Sequence, residues 1–175
     1  MEVWQNSAIV FDGKIIRLRT GEVTLDNGAA AYREVVEHPG GACVLPFNGE
    51  AFVFIRQFRI ALEQYLIEAP AGKLEPGETP KGCAEKELRE ETGYVARQLI
   101  ELGMVYPTVG FCNEVIHLFL ATGLSQVGRC LEPEERLESV YISTQEVRRM
   151  MLNNAFFDGK TAIIVQRALN WLDSQ

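Results

Sequence analysis

Residues 72–94 read GKLEPGETPKGCAEKELREETGY, and the register of this stretch governs how the rest of the chain is read. Thr79 can cap a helix whose first turn holds Pro80, and Gly93 stands where a left-handed C-terminal cap belongs. The spacing therefore predicts a helix from Pro80 to Thr92. On it Glu87, Glu90 and Glu91 stand at i, i+3 and i+4, so three carboxylates share one face. Like charges so placed oppose one another by roughly a few tenths of a kcal/mol per pair unless a cation intervenes. Hard oxygen donors of this kind suit Mg2+ or Mn2+. Three glutamates alone are read more simply as a solvated acidic face; four acidic positions and two glycines in fixed register favour the metal.

The register resembles the Nudix box, the signature of hydrolases that cleave nucleoside diphosphates linked to another moiety. Its elements are Gly72, five residues, Glu78, seven residues, a basic residue, Glu87, an apolar residue, Glu90, Glu91, Gly93 and an apolar residue. One position departs: Lys86 stands where the family has Arg. Lysine keeps the charge but lacks the planar fork that grips a carboxylate at two points, so weaker orientation of the neighbouring glutamates is expected. The resemblance implies Glu87 and Glu91 as principal metal ligands and Glu90 as a further ligand and catalytic group. It also implies the main-chain carbonyl of Ala71 as an additional ligand and Glu78 as structural support. Gly72 and Gly77 are expected to let the preceding loop turn tightly beside the helix.

The chain of 175 residues is ample for one domain with a real core and short for two. With 47% hydrophobic and 23% charged residues it has the composition of a soluble globular protein. A net charge of −7 argues against a nucleic-acid backbone or an anionic membrane as the main partner. A polyanionic small substrate then needs local positive charge from arginines and metal. Cys43, Cys83, Cys112 and Cys130 form no Cys-x-x-Cys pair, so free thiols in a reducing compartment are expected. Neither a signal peptide nor a membrane span is expected, and the cytoplasm is the simplest location.

Before the box the pattern is of strands, at Ala8 to Phe11, Lys14 to Arg19, Glu22 to Leu25 and Ala30 to Glu37, with Asp26, Asn27 and Gly28 as a hairpin turn. Ala42 to Phe47 and Ala51 to Phe58 read as a second hairpin through Asn48 and Gly49, and their near-continuous apolar character suits central strands. Pro46 marks a bulge or an edge near its strand's end. Leu99 to Tyr106, Val115 to Ala121 and Glu138 to Ile142 follow as strands. Ser143 and Glu146 form a capping box for a helix, and Lys160 to Trp171 carries a helical stripe. The expected class is α+β, with mixed sheets sandwiched by helices, the fold that the Nudix resemblance also implies. An N-terminal antiparallel strand region over 1–40, expected to serve dimerisation, precedes a hydrolase domain over 41–175.

The flanks resemble the ADP-ribose pyrophosphatase group over nearly the full length, at YREVVEHPG (32–40), IRQFR (55–59), EAPAGKLEPG (68–77), GFCNEVIHLF (110–119) and DGKT (158–161). That likeness implies a homodimer, phosphate binding by Arg56 and Arg59, and Arg33 reaching substrate across a subunit boundary. Phe111 is implied in substrate binding, and Glu114 near the terminal ribose. An acidic loop before the last strand is implied to supply the general base, with Glu135 the first choice and Glu134 the second. The implied reaction is hydrolysis of ADP-ribose or a related nucleoside diphosphate sugar to a nucleoside monophosphate and a sugar phosphate. Residues 107–110 depart from the group's Ser-Pro-Gly pattern, which keeps GDP-mannose or another sugar nucleotide open as substrate. Lys86 keeps open a catalytically silent domain that binds a nucleotide as a sensor. His38 and His117 stand alone and are read as structural.

Overall fold

The computed structural model describes residues 1–131 and 136–175. Among these residues ten strands, three α-helices and a π-helical turn form two compact units, one of residues Met1–Gly40 with Tyr106–Val115, the other of Gly41–Val105 with Ile116–Gln175.

In the first unit β1 (Glu2–Asp12), β2 (Arg17–Leu25) and β3 (Ala30–Glu37) form an antiparallel sheet in that order. The expected turn joins β2 to β3: Gly28 takes φ 80° and Asn27 Oδ1 accepts from Ala29 N–H at 3.0 Å. Two strands expected separately, Lys14 to Arg19 and Glu22 to Leu25, are corrected to one, which begins only at Arg17; Lys14 to Ile16 lie in the turn that follows β1. Gly21 lies at the junction of the two expected strands, where the chain presses against the Asn6 carbonyl beside a bulge in β1, and any side chain there would collide with it.

In the second unit β4 (Gly41–Pro46), β7 (Ala71–Lys73), β8 (Tyr94–Val105) and β9 (Ile116–Gln126) build a mixed sheet of order β7-β4-β9-β8, with β4 parallel to β9. A second sheet has the order β10-β5-β6, from β5 (Ala51–Arg59), β6 (Gln64–Glu68) and β10 (Leu137–Ser143). The expected hairpin of β4 with β5 is therefore corrected. The two strands enter different sheets, and what remains of the hairpin is a bridge between Phe47 and Phe52 and the turn beside it. Asn48 still makes its turn, accepting from Glu50 and Ala51 N–H, but the strands leave it toward non-local partners. Both are inner strands as their apolar character indicated, and Pro46 ends β4.

Alternation along β4 and β9 divides the core. Ala42, Val44, Phe119 and Ala121 face a cluster with Cys83, Ala84 and Leu88 of the box. Cys43, Leu45, Leu118 and Leu120 face the other way, onto Phe52 and Phe54 of β5 and onto Ile164, Val165 and Ala168. The latter three belong to α3 (Gly159–Asp173). The mixed sheet is thus sandwiched between α1 (Pro80–Glu87) on one face and α3 with the second sheet on the other. Leu88 is 1% exposed, a burial that stabilises by about 2 kcal/mol and seats the box helix. The remaining helix, α2 (Thr144–Leu152), begins at Ser143, whose hydroxyl accepts from Glu146 N–H at 3.3 Å.

Candidate active site

Thr79 caps α1 as its type and position require, accepting from Gly82 N–H at 3.1 Å, and Gly93 ends the element at φ 76°. Between them the expected continuous helix changes form. The α-helix stops at Glu87, and Leu88–Thr92 is a π-helical turn, a widening often found at functional sites. Glu87 and Glu91 are buried, 8% and 3% exposed. Glu90 is half-buried and borders a surface depression with Lys86, Leu88, Arg89 and Val95.

The segment leading into the box meets these two glutamates. Ala71 N–H donates to Glu91 Oε2 at 3.0 Å. Gly72 lies so close to Glu87 that a Cβ at position 72 would overlap its carboxylate. The expected reason for Gly72 is corrected accordingly: it lies in β7 and its role is close approach, whereas Gly77, at φ 81°, is the glycine that turns the loop. Two buried carboxylates on successive turns, against a segment stripped of side-chain bulk, form a hard-oxygen donor set that fits a divalent cation. Among the described residues no three acidic, histidine or cysteine side chains converge into a closed metal cluster.

Lys86 binds three carboxylates from its one ammonium: Glu75 at 2.9 Å, Glu78 at 3.5 Å and Glu87 at 3.9 Å. Burial opposes its charge, but these neighbours outweigh burial and raise its pKa above the usual lysine value. Glu78 also accepts from Glu75 N–H at 3.0 Å, bracing the loop.

Arg56 and Arg59, three residues apart on β5, have different partners. Arg56 stacks 4.0 Å from the ring centre of Tyr65 and pairs with Glu138 at 3.6 Å. Arg59 grips Glu68 through Nε and Nη2 at 2.7 and 2.8 Å. Glu68 is buried, and burial alone would raise its pKa; the hydrogen bonds and charges of Arg59 and Lys160 outweigh that and hold it at about 2. The sequence reading missed Glu68, although an acidic residue closing an apolar strand, three before Ala71, is a signal that it needs a buried cation.

Arg33, Phe111 and Glu114 belong to the first unit. Arg33 holds Glu2 through Nε and Nη2 at 2.8 and 2.6 Å. Phe111 is exposed, while its carbonyl accepts from Val36 N–H. Glu114 lies 3.4 Å from His38 Nδ1, which itself accepts from Gly40 N–H at 3.0 Å. Glu134 and Glu135 lie outside the described residues.

The NUDIX domain model matches residues 37–162, well over half of the chain, and the chain belongs to that family. It is a Nudix hydrolase. It is 39% identical over 160 residues to an ADP-ribose pyrophosphatase of Bacillus subtilis, covering 90% of this chain and 86% of that one. At 37% identity and the same coverage it is similar to a methanol dehydrogenase activator of Bacillus methanolicus. At 33%, over 91% of this chain and 88% of the relative, it is similar to a GDP-mannose pyrophosphatase of Citrobacter koseri. A solved structure described as an ADP compounds hydrolase superposes with a TM-score of 0.88 over 99% of this chain and 95% of its own, at 18% identity, a likeness of fold. The expected family and α+β class are borne out.

Proposed function

We propose that the protein hydrolyses the pyrophosphate of ADP-ribose or a related nucleoside diphosphate sugar, releasing a nucleoside monophosphate and a sugar phosphate. The observation that carries this reading is the pair of buried carboxylates, Glu87 and Glu91, seated against Gly72 and the Ala71 amide. Glu87 and Glu91, with Glu90 and the Ala71 carbonyl as further ligands, would hold Mg2+ or Mn2+, which would supply neutralisation of phosphoryl charge and a lowered pKa of bound water. Ala71 N–H fixes one Glu91 oxygen, which aims the other. Lys86 offsets the repulsion among Glu75, Glu78 and Glu87. Arg59 uses one edge of its guanidinium on Glu68; Nη1 has no hydrogen-bond partner among the described residues, which suits it to a substrate phosphate, with Arg56 as a second cation. Glu135, or else Glu134, takes the proton of the attacking water.

Arg33, Phe111 and Glu114 complete substrate binding in this reading, with Arg33 contributed across a homodimer. Exposure of Val3, Trp4, Val10 and Phe11 along β1 supports association through that strand. Four free cysteines support a reducing, cytoplasmic setting. No helix among the described residues is long and apolar enough to cross a membrane.

GDP-mannose is the second reading, favoured by the relative of that specificity and by the altered sequence at 107–110. The test is release of AMP, GMP, UMP and sugar phosphate from ADP-ribose, GDP-mannose, UDP-glucose and ADP-glucose with Mg2+ or Mn2+, comparing the intact protein with Glu91→Gln. Turnover of one substrate, lost in the variant, supports hydrolysis and identifies the branch. Tight binding without turnover of any replaces it with the sensor reading.

A further inference from the structure

The segment that leads into the box is pinned from the far end of the chain. Glu68, 1% exposed, takes Arg59 at two points and Lys160 Nζ on Oε2. Lys160 Nζ also donates to Asp158 Oδ2 at 2.9 Å. The next residue, Ala69, donates its N–H to Thr161 Oγ1 at 2.8 Å. Thr161 is fully buried, and both its hydroxyl and its N–H donate to Asp158 Oδ2, the N-cap of α3. Two residues beyond Ala69, Ala71 holds Glu91, and Gly72 touches Glu87.

Two acids and two bases here sum to zero, which satisfies the requirement that buried charge be paired. Such a cluster is weak evidence of stability, because desolvating four charges offsets most of their attraction. What it supplies is geometry. Two successive residues are fixed by directional bonds, Glu68 through its carboxylate and Ala69 through its backbone N–H, and the short stretch to Ala71 leaves little freedom for error.

We infer that Lys160 and Thr161 are positioning residues, which set the glutamates of the box by clamping Glu68 and Ala69 so that Ala71 meets Glu91 and Gly72 meets Glu87. This rests on the reading of Glu87 and Glu91 as metal ligands. Neither Lys160 nor Thr161 is a ligand itself. They act as the outer partners that orient ligands elsewhere in proteins, whose loss costs roughly 10–100-fold in metal affinity.

The test is Mn2+ binding to the full chain, followed by electron paramagnetic resonance and calorimetry, beside thermal melting and steady-state kinetics. Thr161→Val keeps the shape and removes the acceptor for Ala69. It is expected to weaken Mn2+ binding roughly 10-fold or more and to lower kcat with KM for the nucleotide unchanged; Thr161→Ser restores both. Lys160→Gln, which leaves the Ala69 bond in place, carries the same expectation should Thr161→Val not fold. Wild-type Mn2+ affinity in a folded Thr161→Val or Lys160→Gln protein, with only the melting temperature changed, overturns the inference. Absence of Mn2+ binding by the unsubstituted protein overturns the metal reading itself, and this inference with it.

Discussion

Gly72 and Glu87 share a space that admits no side chain at position 72: a methyl group built there overlaps the Glu87 carboxylate. Gly72→Ala must therefore swing Glu87 away or push β7 off β4, to which it pairs through Ala42 and Cys43. Activity is expected to fall by about 100-fold or more, since a shift of roughly 1 Å at a reacting centre costs that much. Far-ultraviolet circular dichroism should be retained, and kcat/KM with the preferred substrate is the measurement. Near-wild-type activity would show that Glu87 is not needed where it lies.

Lys86 holds Glu75, Glu78 and Glu87 together with a single ammonium. Lys86→Met removes the ammonium that three neighbouring carboxylates share and is expected to lower kcat/KM by about 10–100-fold, the scale for losing an orienting partner. Lys86→Arg restores a planar fork and is expected to raise activity above the natural protein. A fall would show that the pocket is shaped to a point charge.

Glu68 titrates at about 2 in the folded protein, against about 4.3 for an unperturbed glutamate. A depressed carboxyl stabilises the fold fully above its unfolded pKa and loses that contribution as pH falls through the folded value. Stability on the order of 3 kcal/mol is thus expected to disappear between about pH 5 and pH 2. Urea unfolding across that window checks it. Glu68→Gln should be less stable at pH 7 and show a flatter dependence below pH 5; an equal slope in both proteins would assign the acid transition to other carboxyls.

Burial pushes the Cys83 thiol up to about 12, helped by the charges of Glu78 and Glu87, and raises Cys43 as well. Cys130 is exposed and Cys112 half-buried. Ellman's reagent is expected to modify Cys130 first and Cys112 more slowly, leaving Cys43 and Cys83 unreacted until the protein unfolds. Fast labelling of Cys83, which donates to the Gly72 and Lys73 carbonyls, would mean that the box loop opens readily.

What the sequence disclosed is what short-range chemistry encodes. Thr79, Pro80 and Gly93 bound the box, Asn27 and Gly28 make their turn, and Ser143 caps α2, because each acts on backbone groups a few residues away. What it concealed depends on remote partners. Asn48 and Gly49 give a sound turn signal, yet the flanking strands pair with β9, β7, β10 and β6, choices written in those strands. Tyr94 to Gln98 opens β8, but Ala96, Arg97 and Gln98 lack an apolar alternation, and only pairing with β9 makes them a strand. The box glutamates were legible by register; the widened turn that carries Glu90 and Glu91 was not, since a π-helical turn has no simple periodic mark. The Glu68 network joins residues 92 positions apart, beyond any local pattern.

That separation has a bearing on how the protein is made. When Glu68 and Ala69 emerge during synthesis, Arg59 is already present, but Lys160 and Thr161 are still to be joined to the chain. The segment that sets the box is thus completed only once residues 158–161 have been translated, and a nascent chain cut before residue 158 holds every box glutamate without the clamp that aims them. Ordering of the box is thereby deferred until a stretch 92 residues downstream of Glu68 and Ala69 has been made.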